Sequence, residues 1–228
     1  MKKIVLSALV AAFSLCANAQ YESKAGDIAL EVGFNPFSNS FNTVKLNGGS
    51  INARYFINDN TAARVNLGFG YEGTSDNLYS TDHNGNEVKT ECSKHAGSFS
   101  LDLGVENHFA NAGRLDLYAG GQLGIATTFG GGKFGNTEVS GAAISSGWST
   151  GSIDPCATTF SLKAFTGANF FVYKKLYVGA EFGVSFSNRS YKDYEVTIDS
   201  ETTKKKNDLS KTSFDFFAEP ALHLGWVF

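Results

Sequence analysis

The sequence predicts an all-β transmembrane protein, an antiparallel up-and-down barrel of eight strands that follows a cleaved signal peptide. Three observations carry this prediction. The N-terminus has an export signature, eight later runs alternate apolar and polar residues, and short turns between those runs alternate with long polar segments.

The export signature comes first in the chain. Met1-Lys2-Lys3 precedes an apolar run from Ile4 to Leu15, and Cys16-Ala17-Asn18-Ala19 precedes Gln20. A basic start, an apolar stretch too short to span a bilayer and an A-x-A site make residues 1–19 a signal peptide and leave 20–228 as the barrel domain. Cleavage before Cys16, as in a lipoprotein, wants a small residue just upstream, where this chain has Leu15. Loss of Lys2 and Lys3 leaves 17 basic residues against 22 acidic ones, so the exported chain lacks the basic footprint of a nucleic-acid binder. No later apolar run reaches the ~18 residues of a transmembrane helix. The 25 glycines, 20 phenylalanines and 9 tyrosines against 3 prolines favour extended structure.

The eight runs follow in order. The first sets Ile28, Leu30, Val32 and Phe34 against Glu31 and Gly33. In the second, Ile51, Ala53, Tyr55 and Ile57 face away from Asn52 and Arg54, and Asn58-Asp59-Asn60 turns the chain into the third. There Ala63, Val65, Leu67, Phe69 and Tyr71 oppose Arg64, Gly68 and Gly70. The fourth sets Phe99, Leu101, Leu103, Val105 and Phe109 against Asp102, Gly104 and Glu106, and Ala110 to Gly113 turns it into the fifth. That run sets Leu115, Leu117, Leu123 and Ile125 against Asp116, Tyr118, Gly120 and Gly124. The sixth sets Phe160, Leu162, Phe170 and Val172 against Lys163 and Asn169, with a turn at Tyr173-Lys174-Lys175. In the seventh, Leu176, Val178, Phe182 and Phe186 oppose Gly179, Glu181 and Gly183. The eighth sets Phe214, Phe216, Leu222, Leu224, Trp226 and Phe228 against Asp215, Glu219, His223 and Gly225. Period two over such lengths gives each strand two different environments.

Long polar segments near 36–48, 72–97, 127–158 and 187–211 link the hairpins at the opposite end from the short turns. That asymmetry matches an outer-membrane barrel. A further hairpin within 127–158 would raise the strand count to ten. Two features turn the apolar face outward. The polar face is rich in glycine, which relieves crowding on the concave side of a small barrel. Aromatics also fall at both ends of the apolar face, with Phe34, Tyr71, Phe99, Phe160, Phe186 and Phe214 toward the loops and Tyr55, Phe109, Phe170, Trp226 and Phe228 toward the turns.

The last run, with Leu222, Leu224, Trp226 and a final Phe228, resembles the terminal strand of the outer-membrane β-barrel family, in particular its small eight-stranded members of the OmpA and OmpX kind. The resemblance implies the outer membrane of a Gram-negative bacterium, extracellular loops, periplasmic termini and a terminal strand read by the barrel assembly machinery. It also implies that a peptidoglycan-binding domain, which some relatives carry after the barrel, is missing here.

The inward face gathers Glu31, Asp102, Glu106, Asp116, Glu181, Asp215 and Glu219 against Arg54, Arg64 and Lys163, with His223 added. Eight strands leave room only for side chains, so these charges are expected to pair and fill the interior, with Arg64 near Glu106. The surplus of acids supports the rival reading of a narrow cation-favouring path or small-solute transport barrel. Cys92 and Cys156 fall in long segments of an exported chain and are the candidates for a disulfide. Cys92-Ser93-Lys94-His95 is at most half a metal site, and Gly130 to Phe134 lacks the Ser or Thr of a phosphate loop and reads as a loop tip. No spacing of His83, His95, His108 and His223 forms a triad, which argues against a lipid-active enzyme. No cofactor or metal is expected. The expected function is therefore non-enzymatic: a structural, adhesive or complex-forming role in outer-membrane lipid, with a membrane-protein partner or extracellular ligand met by the long loops. Ser190 to Thr197 looks strand-like and offers edges to which another chain could add.

Overall fold

The computed structural model describes residues 23–34, 50–81, 83–144, 153–217 and 222–228. The expected signal peptide, the segment 36–48 and Glu219 lie outside them. Strands dominate, and all pairings are antiparallel. β1 (Ile28–Phe34), β2 (Ser50–Asn58), β3 (Thr61–Thr81), β4 (Glu87–Ala112) and β5 (Leu115–Phe134) pair in chain order. β6 (Thr137–Ser140), β7 (Ala142–Ile144) and β8 (Ile153–Pro155) are short, and β9 (Ala157–Tyr173) then pairs with β5 and with β10 (Leu176–Tyr191). After the hairpin of β11 (Tyr194–Ile198) and β12 (Glu201–Lys205), β13 (Ser210–Phe217) and β14 (Leu222–Val227) pair with successive stretches of β10. β14 also pairs with β1, Leu30 opposite Trp226 and Phe34 opposite Leu222, and this closes a ring of eight. Phe228 adds one more bond, its amide donating to the Ile28 carbonyl at 2.8 Å.

Burial is inverted relative to a water-soluble protein. Leu123, in mid-strand, is 66% exposed, whereas Glu106 on the opposite face is 0% exposed. Outward chains include Leu30, Val65, Leu103, Val105, Leu162 and Phe182, flanked by exposed Tyr71, Phe99, Phe160, Phe186 and Phe214 at the loop end and Tyr55, Phe109, Trp226 and Phe228 at the turn end. Along β4 the two aromatic levels, Phe99 and Phe109, are roughly 25 Å apart once strand tilt is allowed for, the height of a lipid-facing band. Inward glycines make room for inward rings. A Cβ on Gly167 would strike the Tyr118 ring, and one on Gly225 would strike Tyr177.

The long segments depart from their expected form. Residues 72–97 are not a loop: β3 and β4 stay paired from Phe69–Phe99 up to Thr81–Glu87, roughly 40 Å along the strand beyond the aromatic level. Within 127–158 the described residues add no membrane hairpin. β6 extends the upper edge of β5, and β7 with β8 forms a small separate sheet on the inner side. Gly130 to Phe134, expected as a loop tip, is paired strand, and Gly130 and Gly132 let the β7 residues Ala143 and Ile144 approach closely. β11 does not offer its own edges, because β6 and β12 occupy both of them. The β11–β12 turn places Asp199 and Ser200 at positive φ, 48° and 72°, as a two-residue hairpin requires. β12 pairs only with β11 among the described residues and carries Lys204 and Lys205, which discourage strand addition.

The disulfide expected between Cys92 and Cys156 is not formed; both are buried free thiols. Cys92 stands opposite Phe134 of β5, whereas the amide of Ala157, next to Cys156, donates to Thr128 Oγ1 at 2.8 Å. Those levels on β5 are roughly 20 Å apart, against a disulfide limit near ~7 Å between Cα atoms. Alkylation of the denatured protein without reductant should label both cysteines, as located by peptide mass; labelling of neither would contradict the fold here. On the outer face, Leu123→Arg should destabilise the barrel by about 2–4 kcal/mol in urea unfolding from lipid vesicles, whereas Tyr79→Arg, above the aromatic level, should change it by less than ~0.5 kcal/mol.

Candidate functional site

Alternation delivers polar side chains from most strands of the ring to one level of the interior. Arg54 of β2 is the centre: its Nη2 lies 3.0 Å from Glu31 Oε1 on β1, and its Nε lies 3.0 Å from Glu106 Oε1 on β4. Arg64 of β3 reaches Glu106 at 3.5 Å and crosses the lumen to Glu181 of β10, to which its Nη1 donates. Tyr177 Oη donates to Glu31 at 2.6 Å, Asn52 Nδ2 donates to the other Glu31 oxygen, and Tyr118 Oη donates to Glu181 at 3.3 Å. The guanidinium groups also lie over aromatic rings, Arg54 over Tyr118 and Arg64 over Phe165, each 4.5 Å from the ring centroid.

The chain Glu31–Arg54–Glu106–Arg64–Glu181 therefore runs from wall to wall. Charge alternates along it, which is how buried ions are tolerated. On one side it continues through His108, whose Nε2 lies 3.2 Å from Glu106 and whose Nδ1 lies 2.7 Å from Asp116; Asn169 Nδ2 donates to Asp116 at 3.2 Å. A second layer toward the loops holds Lys163 and Asp102, 3.3 Å apart. Below Arg54 a cavity of about 10 Å³ remains, bordered by Asp116 and Asn169, space for a single water.

Two of the expected interior residues stand apart from this cluster. Asp215, opposite Ser185 on β10 and so four residues along that strand from Glu181, is exposed and makes no ion pair among the described residues. His223 lies on the inner face, half-buried, and its Nε2 has no hydrogen-bond partner among the described residues. Glu219 is outside the described residues. Conversely, the cluster includes Tyr118, Tyr177, Asn52, Asn169, Phe165 and His108, which a list of charges alone does not select. Their parity along the strands was the available signal. His108 follows Glu106 by two, and Tyr177 precedes Glu181 by four.

A family model described as an outer membrane protein beta-barrel domain matches residues 5–216. The chain belongs to that family. A comparison with curated proteins gives no match. As an outer-membrane barrel it resides in the outer membrane of a Gram-negative bacterium, and the outward hydrophobic band and inward ions are the two faces that location demands. Leu224, Trp226 and Phe228 of the terminal strand expose their side chains on the lipid side, while the Leu222 backbone pairs with Ala180 and Phe34.

No three of His, Cys, Asp and Glu among the described residues converge where a metal ion could sit, and both nitrogens of His108 are engaged by carboxylates on opposite sides of the ring. At the loop end, burial pushes the Cys156 thiol up, keeping it protonated. The amide of Asn207 donates to Asp193 Oδ1 at 2.9 Å and, together with Lys204, holds that carboxyl below its ordinary value. Replacing Arg54 with Met would leave Glu31 and Glu106 buried without their shared partner and should cost about 3–5 kcal/mol in unfolding measured from vesicles. A loss under ~1 kcal/mol would mean that Arg54 does not bind the interior together.

Proposed function

We propose that the chain is a closed, non-enzymatic barrel of the small OmpA and OmpX kind, inserted by the barrel assembly machinery after removal of its signal peptide. In this reading its termini are periplasmic and its long strands stand outside the cell, where they act in adhesion or as part of a membrane-protein complex. The observation that carries the reading is the contrast between the two ends of the same strands. Within the lipid band the lumen is crossed by the Glu31–Arg54–Glu106–Arg64–Glu181 chain. Beyond it, β3, β4 and β5 continue as a sheet that β6, β11 and β12 widen. A barrel for solute passage gains nothing from such a filled lumen; a display scaffold gains rigidity.

The surplus of carboxylates supports a second reading, a narrow cation path. Among the described residues, Glu31, Glu106, Glu181 and Asp116 face only Arg54 and Arg64 as permanent cations. Planar-bilayer recordings separate the two. The scaffold reading predicts a quiet bilayer with the wild-type protein and new conductance steps with the Arg54→Ala, Arg64→Ala double variant. Large, stable, cation-selective steps from the wild type would instead establish transport.

A further inference from the structure

The mouth of the ring at its loop end holds an open cleft of about 400 Å³, a size within the range of small-ligand sites, for which barrel mouths are a favoured place. Its walls come from opposite sides of the ring. β3 and β4 contribute Glu72 and Ser98, β8 contributes Asp154, and Arg189 enters from β10. It is separate from the ionic layer below and unused by the scaffold role.

Arg189 is the anomaly. It shares the inward face of β10 with Glu181, and Arg54 and Arg64 in that interior each hold two carboxylates. Arg189, by contrast, makes no ion pair with any described residue, and its Nε, like those of Arg54 and Arg64, is buried without a hydrogen-bond partner among them. Its guanidinium is steadied by the ring of Tyr191, 5.0 Å away. A fixed cation without a counter-ion among the described residues fits an incoming carboxylate. Glu72 and Asp154 border the same cavity and are likewise outside every ion pair among the described residues. They suit an ammonium group, and the Ser98 hydroxyl suits an amide between the two ends.

We propose that this mouth cavity binds a small zwitterion, an amino acid or short peptide whose carboxylate meets Arg189 and whose ammonium meets Glu72 and Asp154. The inference is independent of what the outer sheet binds. Isothermal titration of the full-length protein in detergent with trialanine, its C-terminal amide and its N-acetyl form tests it. Trialanine should bind, and both capped forms should bind at least about tenfold more weakly. Arg189→Gln should weaken the uncapped peptide by a similar factor, with Arg189→Lys restoring part of the loss. The capped peptides probe the wild-type protein, so the test does not depend on any variant folding. Absence of trialanine binding, or equal binding of either capped form, would overturn the proposal.

Discussion

Arg54 lies between Glu31 and Glu106, with contacts of 3.0 Å to each and the Tyr118 ring beneath it, and the whole group is almost completely screened from solvent. That arrangement follows from a constraint set by the lipid. An eight-strand ring in a bilayer must turn its apolar chains outward, which sends the polar ones into a lumen too narrow to hydrate them. Each inward charge must then find a counter-ion at hydrogen-bonding distance, and the guanidinium fork can serve two carboxylates at once. The tyrosines supply the remaining donors. The inward glycines are the complement of this crowding, since Tyr118 and Tyr177 lie where Cβ atoms on Gly167 and Gly225 would be.

The same packing separates the barrel into regions with different tasks. The turn end is closed by tight connections and by the backbone bonds that join Gly26 and Phe228 to neighbouring strands. The ionic layer occupies the lipid-level interior. Above it the lumen widens into the mouth cavity, and the strands leave the ring as a sheet partly lined on its inner side by Val139, Ala142 and Ile144 with Ile153, Tyr194 and Val196. That small apolar cluster gives the projecting sheet a core of its own, which a bare two-strand hairpin would lack.

The ring was legible in the sequence because lipid on one side and a polar lumen on the other impose strict alternation. Arg64 and Glu106 could be placed near each other for the same reason. The projecting sheet was not legible. Between Tyr71 and Gly97 both faces of β3 and β4 lie outside the lipid, so Thr74, Asp76, Asn77, Ser80, Lys89 and Glu91 carry no periodic apolar signal even though they pair residue by residue. The cysteines misled because an even count in an exported chain says nothing about strand register, and register is what separates Cys92 from Cys156. Asp215 belongs to the inward parity of its strand but is exposed, four residues along β10 from the Glu181 level, and alternation does not encode position along the strand.

The most direct test of the filled interior is a double-mutant cycle on Arg64 and Glu181, which come from opposite walls of the ring. Unfolding free energies of Arg64→Met, Glu181→Gln and the double variant, measured reversibly in vesicles, give the coupling between them. A coupling of at least about 1.5 kcal/mol is expected if the two side chains meet across the lumen as described; additivity within ~0.5 kcal/mol would mean that they do not, and that the interior is open.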